Sequence, residues 1–347
     1  MRTEQVRATG EAETFVPKCR VYLFTYRRPQ LLVRAIKSLL AQTYADWICE
    51  LHNDDPHDSR PCKILTEFAD PRITLVTHPQ NYGPTKSFNC AFKPVGEEFI
   101  SILEDDNAWD PEFLESCLAC LTDRPEVSMV WANMQMWKQI DESTCIPTNV
   151  FFWPRQSKTG ASLPPFETFH WPNAHSIIGG LHSNGAMVLR SKFAQDCRVP
   201  NECPFNFIEH VRERIFRYPI VLMRRKLAVW TWTLDSSRPA NCALSTAMQV
   251  ILANSFLLYC AKDKFPMLRI WARARQRKRR HLIILFLATL INVRLWPLFR
   301  YFKATDYLWV FIDFIKHPFA TLQAVSKIPR YAHLHEFLKT RTKQQMQ

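Results

Sequence analysis

Between residues 19 and 132 short apolar runs alternate with segments of helical period, and this alternation constrains the fold more than any other feature of the chain. Residues 19–25 (CRVYLFT) read as a buried strand. Pro29 then opens a helix whose apolar positions Leu32, Ile36, Leu39 and Leu40 keep helical spacing. A strand at 47–51, a short helix around 64–68, a strand at 73–76, a helix near 87–92 and a strand at 99–103 follow. Asp110-Pro111 then starts another helix, and 128–132 is a further strand. Such an order predicts an α/β fold with a parallel sheet and helices on both faces, which binds ligands beyond the carboxyl ends of its strands. Two acidic clusters fall at such ends, Asn53-Asp54-Asp55-Pro56 and Glu104-Asp105-Asp106-Asn107.

The pattern stops over residues 140–182, which are rich in Pro, Trp, Phe and His and read as a functional loop region. Strands return at 186–189 and around 228–233, with a helix near 207–216 between them. Beyond residue 240 the chain is helical, basic and aromatic. The net charge of +13 resides there: residues 241–347 hold 18 Lys and Arg against 4 Asp and Glu, and the rest of the chain is close to neutral. No nucleic-acid module accompanies this charge, so nucleic acid is not the expected partner.

Only 7 residues are glycine, and neither G-x-G-x-x-G nor G-x-x-x-x-G-K-[ST] can be written, which excludes a dinucleotide-type Rossmann loop and a P-loop. The 11 cysteines are odd in number and scattered, and the first residues lack the apolar core of a signal peptide, so a reducing cytoplasm is expected. Cys117 and Cys120 form a C-x-x-C without a second pair and read as small buried residues of one helix face. His170, His175 and His182 fit no regular ligand spacing, and Met134, Met136 and Trp137 read as sheet-face residues.

Several carboxylates gathered at the end of an apolar strand repel one another, and a hard divalent cation relieves that repulsion. Five segments, three of them carrying carboxylates, occur in a fixed order. They are Thr25-Tyr26-Arg27-Arg28-Pro29, Ala41-Gln42-Thr43-Tyr44-Ala45-Asp46-Trp47, Asn53-Asp54-Asp55-Pro56-His57-Asp58, Asn81-x-Gly83-(x)5-Asn89 and Glu104-Asp105-Asp106-Asn107-Ala108-Trp109-Asp110-Pro111. Together they resemble the motifs of the inverting GT-A glycosyltransferases of family 2. Arg27 stands where that family has Asn, Asn53 where it has Asp, and Asp55 where it has Gly.

The resemblance implies a GT-A (Rossmann-like) fold, a mainly parallel sheet flanked by helices with a C-terminal basic helical extension. The expected divisions are a flexible tail over 1–16, a catalytic domain over 17–240 and a basic amphipathic helical region over 241–347. Within the domain, 17–135 forms the nucleotide half and 136–240 the acceptor half. By the same resemblance Thr25, Tyr26 and Arg28 line the nucleotide pocket, Asp54 bonds the base, and Asp105 faces the ribose or sugar. Asn81, Gly83, Lys86, Asn89 and Glu104 complete the donor site. Asp106 holds Mg²⁺ or Mn²⁺ against the diphosphate of a donor, expected to be a UDP-sugar.

Inversion needs a base for the acceptor hydroxyl, and Glu209-His210 stands where the family has its acidic pair, with Glu209 preferred. Trp171 and His182 are expected at the acceptor, a glycan or lipid-linked glycan, and Trp153 is a further stacking candidate. The rival readings are a nucleotidyltransferase on the same sheet and a catalytically inactive GT-A protein that binds glycan or serves as a membrane scaffold. The basic run 269–281 before the charge-free stretch 281–293, too short to cross a bilayer, suggests peripheral binding to the cytoplasmic face of a membrane. A charged helix packed on the domain has equal standing at this stage.

Overall fold

The computed structural model describes residues 18–154, 160–175, 177, 180–234, 242–262, 267–277 and 280–344. The tail expected over 1–16 lies outside them. In chain order the first half runs β1 (Cys19–Thr25), α1 (Pro29–Leu40), β2 (Trp47–Asn53), α2 (Arg60–Phe68), β3 (Ile73–Thr77), α3 (Pro84–Asn89), β4 (Phe99–Glu104), β5 (Ala108–Trp109) and α4 (Phe113–Thr122). β1 lies between β2 and β4, parallel to both, with Leu23 in register with Leu51 on one side and Leu103 on the other. Two buried neighbours explain why its sequence is apolar without a break from Val21 to Phe24 rather than alternating. Proline at the first turn starts α1 and α3 with its φ already set. Gly83, just before α3, has φ +73, a conformation that glycine reaches without steric cost.

Next come β6 (Met129–Gln139), β7 (Cys145–Phe151), β8 (Phe166–Phe169), β9 (Met187–Arg190), α5 (Ile208–Ile215) and β10 (Ile220–Trp232). The sheet order is β3-β2-β1-β4-β9-β6-β10-β5, with β7 paired to β6 and β8 to β10. The expected parallel sheet is present over β3-β2-β1-β4, but β9 enters antiparallel between β4 and β6, and β10 returns parallel to β6. Two strands also lie in the region read as irregular. β7 is an edge strand carrying Pro147, whose missing N–H an edge tolerates, with Ile146 and Val150 exposed. The strand expected at 228–233 begins earlier, at Ile220. Its Arg224-Arg225-Lys226 run hides it from an apolar pattern, because Arg224 is buried against Glu167 and the Pro154 carbonyl.

The two faces of the sheet carry separate cores. Leu32, Ile36 and Leu39 of α1, Ile64 of α2 and Phe113, Leu114 and Cys117 of α4 cover one face. Phe88 of α3 and Ile208, Val211 and Ile215 of α5 cover the other. Cys117 and Cys120 are both buried, as expected.

The C-terminal region consists of α6 (Cys242–Lys262), α7 (Met267–Arg277), α8 (Arg280–Leu290), a 3-10 segment Val293–Tyr301, α9 (Ala304–Lys316), α10 (Pro318–Lys327) and α11 (Ala332–Gln344). α6 is long and apolar enough to cross a bilayer, yet 72% of that stretch is buried within the protein. Its Met248 and Leu252 join the α5 core, while Val250, Phe256 and Leu257 form a third core with α7 and α8. Leu334 and Leu338 of α11 also return to the α5 core. The helices after residue 240 are thus packed on the sheet domain, and Arg214 of α5 ties the two by donating to the Leu252 carbonyl.

Candidate active site

The order β3-β2-β1-β4 places later strands on opposite sides of β1, and the crevice at such a reversal is where open α/β sheets bind ligands. A cavity of about 780 Å³ opens there. Thr25, Tyr26 and Arg28 line it from the end of β1, Asp54 from the end of β2, and Glu104, Asp105 and Asp106 from the end of β4. Asn81 and Gly83 close it before α3. These nine residues expected at the donor or metal site therefore share one cavity.

Asp105 is buried at the reversal point. Its Oδ2 accepts from the Thr25 hydroxyl at 2.8 Å and from the Tyr26 N–H at 3.2 Å, so the carboxylate bonds the β1 and β4 ends together. Arg28 Nη1 donates to Asp106 Oδ2 at 2.6 Å and lies 3.4 Å from Asp105 Oδ1. Burial, followed by the adjacent Asp106, pushes the Asp105 carboxyl above the usual range, and Arg28 opposes this. Asp54 Oδ1 accepts from His78 Nδ1 and from the Tyr82 N–H, both at 2.8 Å. Burial lowers the His78 pKa, but its bond to Asp54 and its neighbour Cys90 outweigh this and raise it to about 9.

The two departures on this rim meet one another. Arg27 is in the left-handed region at φ 58, a conformation that Asn adopts more readily than Arg. Its Nε donates to Asp55 Oδ2 at 2.6 Å, so the arginine found in place of Asn is bonded to the aspartate found in place of Gly.

A second cavity, about 500 Å³, adjoins the first, and Glu104, Phe205, Asn206 and Trp230 line both. Glu209 and His210 line the second one from the start of α5. Glu209 Oε1 accepts from Asn184 Nδ2 at 2.9 Å, while Asn184 Oδ1 accepts from the buried Arg212. A chain of side chains thus orients Glu209. Burial, then the charge of Arg214, depresses the His210 pKa to about 4, so this imidazole is neutral and weakly basic near pH 7.

Four further residues expected at the site make these contacts. Asn89 donates to the Val199 carbonyl and Asn201 Oδ1, each at 2.8 Å, which fixes the 199–201 segment rather than a donor. The Lys86 ammonium sits 3.8 Å from the Tyr82 ring centroid. Trp171 packs edge-on against Tyr259 of α6, with its indole N–H on the Glu213 carbonyl, so it fastens the 171 segment to the helices. His182 borders the second cavity, but its ring is tied between Glu213 Oε1 at 2.9 Å and Arg212 Nη1 at 3.1 Å. A proton on Nδ1 satisfies both contacts.

The aromatic surfaces that do line the second cavity include Trp131, Phe152, Trp153 and Trp230. Trp153 was among the candidates, whereas Trp230, shared by both cavities, was missed. Its signal was the Trp230-Thr231-Trp232 alternation at the carboxyl end of a strand, the edge from which such sheets recruit ligands. Met134 and Met136, expected to be sheet-face residues only, also line this cavity.

Gly185 is needed for close approach. A Cβ there would lie 2.5 Å from Asn107 Nδ2 and 2.9 Å from Glu104 Oε2, two atoms already bonded to one another beneath both cavities. Gly185→Ala is expected to lower unfolding stability by about 1–3 kcal/mol, the usual cost of overpacking. Urea denaturation measures it, and an unchanged midpoint would show that the Asn107 side chain yields freely.

Residues 21–193 match the family model described as Glycosyl transferase family 2. WfgD of Escherichia coli, a UDP-Glc:alpha-D-GlcNAc-diphosphoundecaprenol beta-1,3-glucosyltransferase, is 30% identical over 112 residues, 32% of this chain and 44% of that protein. WcaA of Escherichia coli strain K12, named for colanic acid biosynthesis, is 34% identical over 104 residues, 30% of this chain and 37% of that protein. The chain spans less than half the length of these curated relatives. The crystal structure of S. aureus TarS 1–349 superposes with a TM-score of 0.52 at 14% identity, covering 94% of this chain and 88% of that one, and that protein has also been solved with UDP and with UDP-GlcNAc. A likeness at this identity is one of fold, the GT-A sheet with its flanking helices. With the family match spanning the strand ends that carry Thr25, Asp54, Asp105 and Asp106, the chain belongs to glycosyl transferase family 2.

Proposed function

We propose that this protein transfers a sugar from a UDP-sugar to a hydroxyl of a glycan or lipid-linked glycan, with inversion and with Mg²⁺ or Mn²⁺, in the synthesis of a surface polysaccharide. The observation that carries the proposal is the pair of adjoining cavities, one lined by Asp54, Asp105 and Asp106 and the other by Glu209. The UDP complexes of the TarS structures and the names of the Escherichia coli relatives favour the same donor and acceptor classes. An inactive GT-A scaffold would have no use for a carboxylate held by Asn184 and Arg212 against an open cavity.

On the donor side Tyr26, half exposed at the rim, offers a ring face to the base, and Asp54 offers an acceptor to a base N–H. Asp105, braced by Thr25 and the Tyr26 N–H, accepts from ribose or sugar hydroxyls. Hard oxygen donors and like-charge crowding suit a divalent cation at Asp106, and Arg28 already marks that point as one where positive charge is favoured. When bound, the ion supplies charge to the departing nucleoside diphosphate. On the acceptor side Glu209 takes the proton of the attacking hydroxyl, and Trp153 and Trp230 present faces to the sugars. The Asn184–Arg212 chain holds Glu209 against the second cavity, whereas His210 is a buried and weakly basic imidazole, so Glu209 is the preferred base.

A thermal-shift screen of nucleotide sugars in the presence of Mn²⁺ tests the donor assignment. A ligand at 100 times its Kd stabilises the folded state by about 2.7 kcal/mol, so a UDP-sugar is expected to raise Tm. No shift with any UDP-sugar would overturn it.

A further inference from the structure

The outward face of α9 and α10 is apolar. In α9 the inward positions are Asp306, paired with Arg275, and the buried Val310. The opposite face shows Leu308 at 54% exposure, Phe311 at 61% and Ile315 at 59%. α10 continues it with Phe319 at 80% and Leu322 at 57%. A surface helix of a soluble domain ordinarily turns charged residues outward at such positions, and single exposed leucines need no explanation, but five large apolar side chains at helical spacing do.

The exposed charges of the segment that carries this face share one sign. Arg294, Arg300, Lys303, Lys316 and Arg330 are exposed along residues 293–331, whereas the acids in that segment are Asp306, held by Arg275, and the half-buried Asp313. Cations bordering aromatic and aliphatic side chains complement an anionic bilayer surface, with the apolar groups reaching the acyl boundary. α9, of 13 residues, is too short to span a bilayer, and α6, which is long enough, is occupied in the core.

We propose that α9 and α10 dock this protein on an anionic membrane surface through Leu308, Phe311, Ile315, Phe319 and Leu322. The inference is independent of the catalytic reading, because it rests on residues outside both cavities. The helices around this face cannot simply be deleted to test it, since Leu334 and Leu338 of α11 belong to the sheet-domain core.

The test is flotation of the full chain with vesicles of phosphatidylcholine alone or with added phosphatidylglycerol, and of the variant F311S/I315S/F319S. Exposed positions tolerate such changes, and an unaltered melting curve verifies folding. The wild type is expected to float with the anionic vesicles, less so at high salt, and the variant to bind at least about tenfold more weakly, given the area that three such side chains remove from water. Equal flotation of the two proteins, or no flotation of the wild type, overturns the proposal. So does light scattering that shows a dimer which the variant dissolves without any vesicle binding, since the face would then serve a second copy of the chain.

Discussion

Glu209→Gln is expected to lower kcat by about 10²–10⁴-fold, the range that a positioned general base contributes, while leaving UDP-sugar affinity unchanged. The substitution keeps shape and keeps an oxygen for Asn184 Nδ2, so the Asn184–Arg212 chain that orients the side chain survives. What is lost is the capacity to take a proton. Glu209 lines the second cavity and not the first, and for this reason the effect belongs in kcat and not in donor binding. Steady-state transfer together with calorimetric titration of the donor separates the two. Near-normal turnover would remove Glu209 from the role. His210→Gln serves as the contrast, expected to change turnover far less because its buried imidazole is a weak proton acceptor and the Asn184–Arg212 chain orients Glu209 instead.

Asp106→Ala is expected to abolish the dependence of transfer on Mn²⁺ and to reduce the rate about 10³-fold, as removal of several kcal/mol of charge stabilisation from a leaving diphosphate implies. The same change frees Arg28, which spans Asp105 and Asp106, to turn to the diphosphate itself. A residual metal-independent rate is therefore expected above background. A Mn²⁺ titration compares the two proteins, and an identical metal response in both would overturn the assignment of the metal to Asp106.

The donor half could be read from the sequence because its signals are local. β1, buried on both sides, is apolar from Val21 to Phe24, and a carboxylate at a strand end needs only the strand assignment to be placed. Asp54, Asp105 and Asp106 consequently share the cavity that their positions suggested. The acceptor half depends on tertiary contacts that no short window contains. β9 is buried like its neighbours, so nothing in Met187–Arg190 reveals that it runs antiparallel between β4 and β6. Trp171 and Trp230 are equally aromatic, and only the packing of α6 assigns one to a seam and the other to the cavity wall. Asn89 illustrates the same limit within a motif: its position was legible, but its partners, 110 and 112 residues away, were not.

The bond between Arg27 and Asp55 makes the two departures on the donor rim one structural unit. Restoring Asn at 27 alone would strip Asp55 of its cation, and restoring Gly at 55 alone would leave an arginine in a left-handed turn with its charge unmatched. In either case the residue left behind loses the partner that the fold gives it. Position-by-position scoring counts two lapses from the family pattern here, whereas the fold contains a single exchange of one loop brace for another.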